Sequence, residues 1–337
     1  SQAAPVANCS FCGLHAGVQA AVLAYLCYDI PMCPAGILGP VEIISKKGTV
    51  VDAAWPAGAA KATTAGSFVT TTAVSACLAK MLDASETHCS RLMACWNGAS
   101  GQQELFGTDQ RGQLFGATML DGMAGGSAAR YDRDGIDTGG FVRSLGCAIA
   151  NVETYEFRYP LLYLYRRQEC DTGGPGKFRG GAAIGLAMTP HDVEEIPTCV
   201  LHGCGIEQPA SAGIAGGYPR STTQFNIRRK TSVQELLSRG RIPLEFNDLD
   251  GELQPKSCED TFLRRGDVFE RVACGGGGFG DPLERDPELV KKDAQLGLVS
   301  PHCAEEIYGV VFTEGLRAVD HTKTEQKRTR IRTERAG

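Results

Sequence analysis

Residues 14–28 are almost wholly apolar, which predicts a buried helix ended by Asp29-Ile30-Pro31. Short β-branched runs at 41–45 and 49–52 flank Lys46-Lys47-Gly48 and read as a hairpin. An Ala-rich stretch with Thr70 to Thr72 near its start predicts a second helix over 68–82. From 91 to 115, apolar segments alternate with Gly-Ala-Ser-Gly and Thr-Asp-Gln-Arg-Gly turns, a strand–turn rhythm. Residues 116–140 are glycine-rich and irregular, and 159–170 read as a strong strand. Further strands are expected at 182–188, 198–201, 223–227 and 267–273. Helices return at 287–295 and 301–307, each opened by proline, with Asp286 and Ser300 as N-caps. From His321 onward six Lys or Arg face two Glu with almost no apolar residue, which reads as a flexible basic tail. The fold class is therefore α+β: glycine-rich mixed sheets with flanking helices and a short helical C-terminal segment. The expected division is a domain over 1–285, a helical segment over 286–320 and the tail over 321–337.

The 337 residues suffice for one large domain or two ordinary ones. Hydrophobic residues at 42% and a net charge of −5 describe a folded chain with no field to recruit nucleic acid. No run approaches ~18 apolar residues, so no membrane span is expected. Ser1-Gln2-Ala3-Ala4-Pro5 lacks the basic and apolar regions of a signal peptide. Several of the 14 cysteines sit inside apolar runs, as Cys27 and Cys77 do, where cysteine acts as a small hydrophobe. That pattern points to free thiols and a cytoplasmic setting.

Gly275-Gly276-Gly277-Gly278-Phe279-Gly280 matches the spacing Gly-x-Gly-x-x-Gly. A dinucleotide loop would open a helix directly, and Asp281-Pro282 interrupts one here. A structural or interface turn is the better reading. Cys9-x-x-Cys12-x-x-His15 has metal-like spacing, with Cys27 and Cys33 further on. A helix over 14–28 would carry Cys27 about 20 Å from its start. Cys9 and Cys12 remain the metal candidates, against a pair of plain thiols. His202 between Cys199 and Cys204 is a weaker cluster. The turns at 121–127 and 132–140 concentrate carboxylates that either bind a hard cation or are solvated and self-capped. Asn151-Val152-Glu153 enters the following strand region. No Gly-x-Ser-x-Gly and no Gly-Lys-[Ser/Thr] occurs, so no nucleophile or common phosphate loop stands out, and no catalytic residue is assigned.

Two long motifs then resemble one family. Asp171-Thr172-Gly173-Gly174-Pro175-Gly176-Lys177-Phe178-Arg179-Gly180-Gly181 is similar to the Asp-Ser-Gly-Gly-x-Gly-x-x-Arg-Gly-Gly signature of the hydantoinase B/oxoprolinase family. The stretch from Cys274 to Pro287 resembles its Gly-Gly-Gly-Gly-x-Gly-Asp-Pro-x-x-Arg-Asp-Pro signature. Gly297-Leu298-Val299-Ser300, Tyr308-Gly309-Val310-Val311 and Gly39-Pro40-Val41-Glu42 fit the same pattern. The resemblance covers nearly the whole chain, but only the C-terminal half of a typical member. Many hydrolase relatives carry a His-Thr-His-Met-Thr-Asn-Thr-like run where this chain has Asp137-Thr138-Gly139-Gly140-Phe141-Val142-Arg143-Ser144. A further family segment, expected near position 66, reads Ala65-Gly66-Ser67-Phe68. In character the chain is closer to the acetophenone and acetone carboxylase side.

The resemblance implies a subunit of a biotin-independent, ATP-dependent ketone carboxylase that forms part of an active-site chamber. The alternatives are a subunit of an ATP-dependent cyclic-amide hydrolase of the N-methylhydantoinase or 5-oxoprolinase type, or a purely architectural subunit. It also implies ATP, Mg and a divalent metal (Zn, Mn or Fe) on partner subunits. Those partners are a sister subunit carrying the family's N-terminal half and hydantoinase A-type ATP-binding subunits. The chamber-wall candidates are Asp121, Asp137, Asn151 and Glu153. Gly173, Gly174, Gly275, Gly276, Gly277, Gly278 and Gly280 are expected in structural or interface turns.

Overall fold

The computed structural model describes residues 8–31, 33–59, 66–96, 101–142, 148–313 and 315–336. Ala65, Arg143 and Ser144, which belong to two of the motif runs above, lie outside them. The helices are α1 (Phe11–Leu26), α2 (Pro34–Leu38), α3 (Ser67–Asp83), α4 (Val152–Arg158), α5 (Val233–Ser238), α6 (Pro287–Gln295), α7 (Pro301–Glu306) and α8 (His321–Ala336). The strands are β1 (Gly101–Thr108), β2 (Leu114–Met119), β3 (Leu161–Gln168), β4 (Ile184–Pro190), β5 (Glu195–Gly203), β6 (Gln224–Arg229), β7 (Glu252–Lys256), β8 (Asp260–Arg264), β9 (Val268–Val272), β10 (Phe312–Thr313) and β11 (Ala318–Val319).

Strand order is β2-β1-β5-β8 in one sheet and β3-β4-β9-β6-β7 in a second, with β10-β11 as a small ribbon. Every pairing among these strands is antiparallel. The two large sheets face each other. Leu105, Met119, Ile196 and Leu201 from the first pack into one core with Leu186, Met188, Phe225 and Phe269 from the second. The outer face of the second sheet is covered by Val233, Phe246 and Leu249. Covered on both sides, β4 is buried along its whole length, and its stretch 184–188 reads as an unbroken apolar run.

α1 and α3 lie against each other beside this sandwich. Gly17 allows the approach, because a Cβ there would meet Ser67 O and Thr70 Cβ at 2.7 Å. Both helices and the loop segments around 92–96 and 128–142 share a separate apolar core with Phe279.

Four expectations change. No hairpin forms over 41–52: Thr49 bridges Asp52 within one turn, and Asp52 accepts hydrogen bonds from Ser45 Oγ at 2.7 Å and Lys47 Nζ at 3.0 Å. The segment's backbone instead pairs with Cys9, which donates to Val50 O at 2.7 Å and accepts from Ala53 N at 3.0 Å. Asn151-Val152-Glu153 opens helix α4 and does not enter the strand. β7 and β8, absent from the apolar pattern, are short strands at sheet edges. β7 holds Pro255, a residue that sheets confine largely to edge strands. Finally, 321–336 is a helix and not a flexible tail. Its anchor is Arg328, buried and donating to the carbonyls of Tyr308 at 3.0 Å and Arg285 at 2.7 Å.

Candidate functional site

The glycine-rich run crosses the middle of the molecule as irregular backbone, bridged at Phe279 to Phe178 and Ile214, and leads into a 3₁₀ turn over Pro282–Glu284 and not directly into a helix. Its amides are spent on this chain's own carbonyls. Gly276 N donates to Gly181 O at 3.1 Å, Gly277 N to Cys95 O at 3.2 Å, and Gly278 N to Tyr218 O at 3.0 Å. In return Gly174 N donates to Gly276 O and Ala129 N to Gly277 O, at 2.8 and 2.9 Å. A Cβ on Gly276 would collide with the Ser127 carbonyl oxygen. Gly173, Gly174, Gly275, Gly277 and Gly278 are likewise crowded by backbone of this same chain, and Gly280 has a left-handed φ of 73°. These glycines therefore serve internal packing. The run itself keeps no row of free N–H groups to cradle a phosphate.

The loop carrying 121–142 is laid over this centre and fixed by buried arginines. Asp134 accepts two hydrogen bonds from Arg285, at 2.6 and 2.7 Å, and one from Arg179 N at 2.7 Å. Asp137 accepts from Arg179 Nη1 at 2.8 Å and from Ala182 N at 2.7 Å. Asp293 of α6 closes the set through Arg285 at 2.7 Å. Burial pushes the Asp134 carboxyl up, but the Arg285 guanidinium and Arg179 more than offset it and hold it below its ordinary value.

Asp121 is completely buried. It accepts from Tyr163 Oη at 3.0 Å and from Arg166 Nη1 at 2.9 Å, and Arg166 also donates to Ala150 O at 2.8 Å. The Tyr163 hydroxyl is held protonated, first by burial and then by the Asp121 charge. The start of α4, with Asn151 and Glu153 both exposed, thus shares a neighbourhood with Asp121. Asp137 belongs to the other set of contacts. Behind Asp121 lies Arg271, fully buried between the sheets, which donates to Gln103 Oε1 at 2.8 Å and to Gly101 O. Desolvation lowers its guanidinium to about 10, and Asp121 works against that.

Cys9 is buried, donates to Ser10 O at 3.3 Å, and has its thiol pushed up by burial. Cys12 and His15 lie exposed on α1. Among the described residues no group of three or more His, Cys, Asp or Glu is arranged to hold a metal. His202 meets Glu104 at 3.4 Å, while Cys199 is buried with its thiol pushed up to about 12 by desolvation.

Sequence reasoning did not nominate the arginines that organise this region. It also missed a cleft of about 640 Å³ between α1 and the 130–142 loop. Leu23, Leu92, Met93, Trp96 and Val142 form its apolar side, and Arg91, Arg130 and Arg133 supply cations at its edge. Ile136 and Gly139, which flank Asp137, line it, so the Asp137–Arg179 pair holds one wall of the cleft. Arg at both ends of a tight turn was the available signal: Arg130 N donates to Arg133 O at 2.9 Å. The arrangement can seat an apolar group beside positive charge. The carboxylates around it are committed to arginines and do not stand free as general bases.

Three kinds of likeness bear on this geometry. A profile of the hydantoinase B/oxoprolinase family matches residues 1–282. The acetone carboxylase alpha subunit of Xanthobacter autotrophicus is 28% identical, over 68% of this chain and 32% of its own length. The acetophenone carboxylase delta subunit of Aromatoleum aromaticum is 30% identical, over 66% of this chain and 34% of its own. The crystal structure of an ATP-dependent caprolactamase from Pseudomonas jessenii superposes with a TM-score of 0.74 at 25% identity, covering 93% of this chain and 50% of that one. The chain thus spans about a third to a half of the relatives it matches.

Proposed function

The chain belongs to the hydantoinase B/oxoprolinase family, and from that premise we propose that it is one subunit of an ATP-dependent, multi-subunit ketone carboxylase. It forms part of the wall of the active-site chamber, while the metal and ATP sites lie on partner polypeptides. The observation that carries this reading is its likeness to two carboxylase subunits, at 28% and 30% identity. The motif departure at 137–144 supports the same side of the family.

In this reading Asp137 is a positioning residue: through Arg179 it sets the wall that carries Ile136 and Gly139. Asn151 and Glu153 offer exposed polar groups at the start of α4, and Asp121 orients Arg166 from behind them. The partners are a sister chain with the family's N-terminal half and hydantoinase A-type ATP-binding chains. ATP, Mg and a divalent metal belong to those partners. The caprolactamase likeness supports a second reading, a subunit of an ATP-dependent cyclic-amide hydrolase. A third, a purely architectural subunit, differs in giving no residue to the chamber.

The test is to co-express the chain with the polypeptides encoded beside it and supply ATP, acetone or acetophenone, and ¹³C-bicarbonate. Label in an oxo acid supports the carboxylase, whereas ATP-dependent opening of a cyclic amide without fixation overturns it. Asp137→Ala should assemble normally and lose turnover; unchanged turnover would mean architecture alone.

A further inference from the structure

The cleft between α1 and the 130–142 loop has the size of a small-ligand site, since such sites measure roughly 300–1,000 Å³. Leu92, Met93 and Trp96 make its floor apolar. At the mouth Tyr28 and Ile136 leave 59% and 65% of their surface in water, an unfavourable placement with nothing bound. Three arginines, Arg91, Arg130 and Arg133, line the cleft, and two already have carboxylates. Arg133 donates to Asp132 at 2.8 and 2.6 Å, and Arg91 reaches Asp29 at 3.4 Å. The Arg130 guanidinium makes no hydrogen bond or ion pair with any described residue and interacts with Asp132 only at longer range.

We propose that this cleft binds a small monocarboxylate with a neutral apolar body, the body on the Trp96 floor and the carboxylate on Arg130. Both activities weighed above release a carboxylate. Carboxylation of a ketone gives an oxo acid with a neutral body; opening of a simple lactam gives an acid with an ammonium at its far end. Asp132 is neutralised by Arg133, so the edge repels an ammonium. The preference for a neutral body rests on the carboxylase reading for its biological source, but the binding can be measured without it.

The experiment titrates phenylacetate into the chain carrying Trp55→Phe. The sequence has two tryptophans, so Trp96 then reports alone. A saturable fluorescence change is expected. Arg130→Gln should weaken phenylacetate about fivefold, the worth of one partly exposed charge pair, and leave neutral 2-phenylethanol unchanged. Arg133→Gln, which frees Asp132, should weaken it as well and covers the case in which the first variant fails to fold. Hexanoate should bind more tightly than 6-aminohexanoate. No saturation, equal loss for acid and alcohol in Arg130→Gln, or a preference for the amino acid would overturn the proposal. An assembly that opens cyclic amides while the cleft still takes phenylacetate would sink the carboxylase reading and leave this site standing.

Discussion

Arg285 is 1% exposed and is held by two carboxylates, Asp134 and Asp293. A guanidinium taken from water needs such partners, because losing one leaves charge uncompensated in a poorly polarisable interior. Asp134→Asn should cost on the order of 2 kcal/mol, less than a full buried-pair break because Asp293 remains. The cost has a pH signature. The folded-state value of Asp134 lies below its ordinary 3.8, so its contribution is complete above 3.8 and disappears as pH falls through the lower value. Melting curves of wild type and Asp134→Asn should differ fully at pH 5 and converge toward pH 2. A gap that widens in acid would contradict the assignment. At this scale the sequence was least legible: Asp121 and Asp137 stand out as glycine-flanked carboxylates, but their arginine partners lie about 40 or more positions away.

At the scale of elements, legibility followed apolar pattern. α1, α3, β3, β4 and α6 carry it and were all expected, with the Asp286 and Ser300 caps in place. α4 was missed because its seven residues are too few to show a helical period, although Asn151 followed by Glu153 is an N-terminal signal. α8 was missed because arginine stems and hydrogen bonds, not aliphatic side chains, dock it. Lys327 reaches Glu305 and Glu306 at 2.8 and 2.9 Å, and Arg335 reaches Asp281 at 3.0 Å. These exposed pairs are weak individually, so Arg328 carries the docking. Arg328→Met strips two carbonyls of their donors, a loss of roughly 2–3 kcal/mol. Trypsin should then cut within 323–335 while the sandwich stays protected. Resistance equal to wild type would show that the salt bridges suffice.

At the scale of the whole molecule, two facing sheets, a helical pair and a small C-terminal core built around Val290, Val299 and Tyr308 are stitched through one glycine-rich segment. The chain has its own cores, yet it matches only about a third to a half of the two carboxylase subunits and the caprolactamase. Free carboxylates, a nucleophile and a metal set were not found together at any site among the described residues. On the proposed reading, the fold is therefore one wall of a composite enzyme. The most direct measurement is ATP-dependent fixation of labelled bicarbonate by the purified chain, by its partner polypeptides, and by the two combined. Turnover only in the combined sample is the predicted result; rapid fixation by this chain on its own would contradict it.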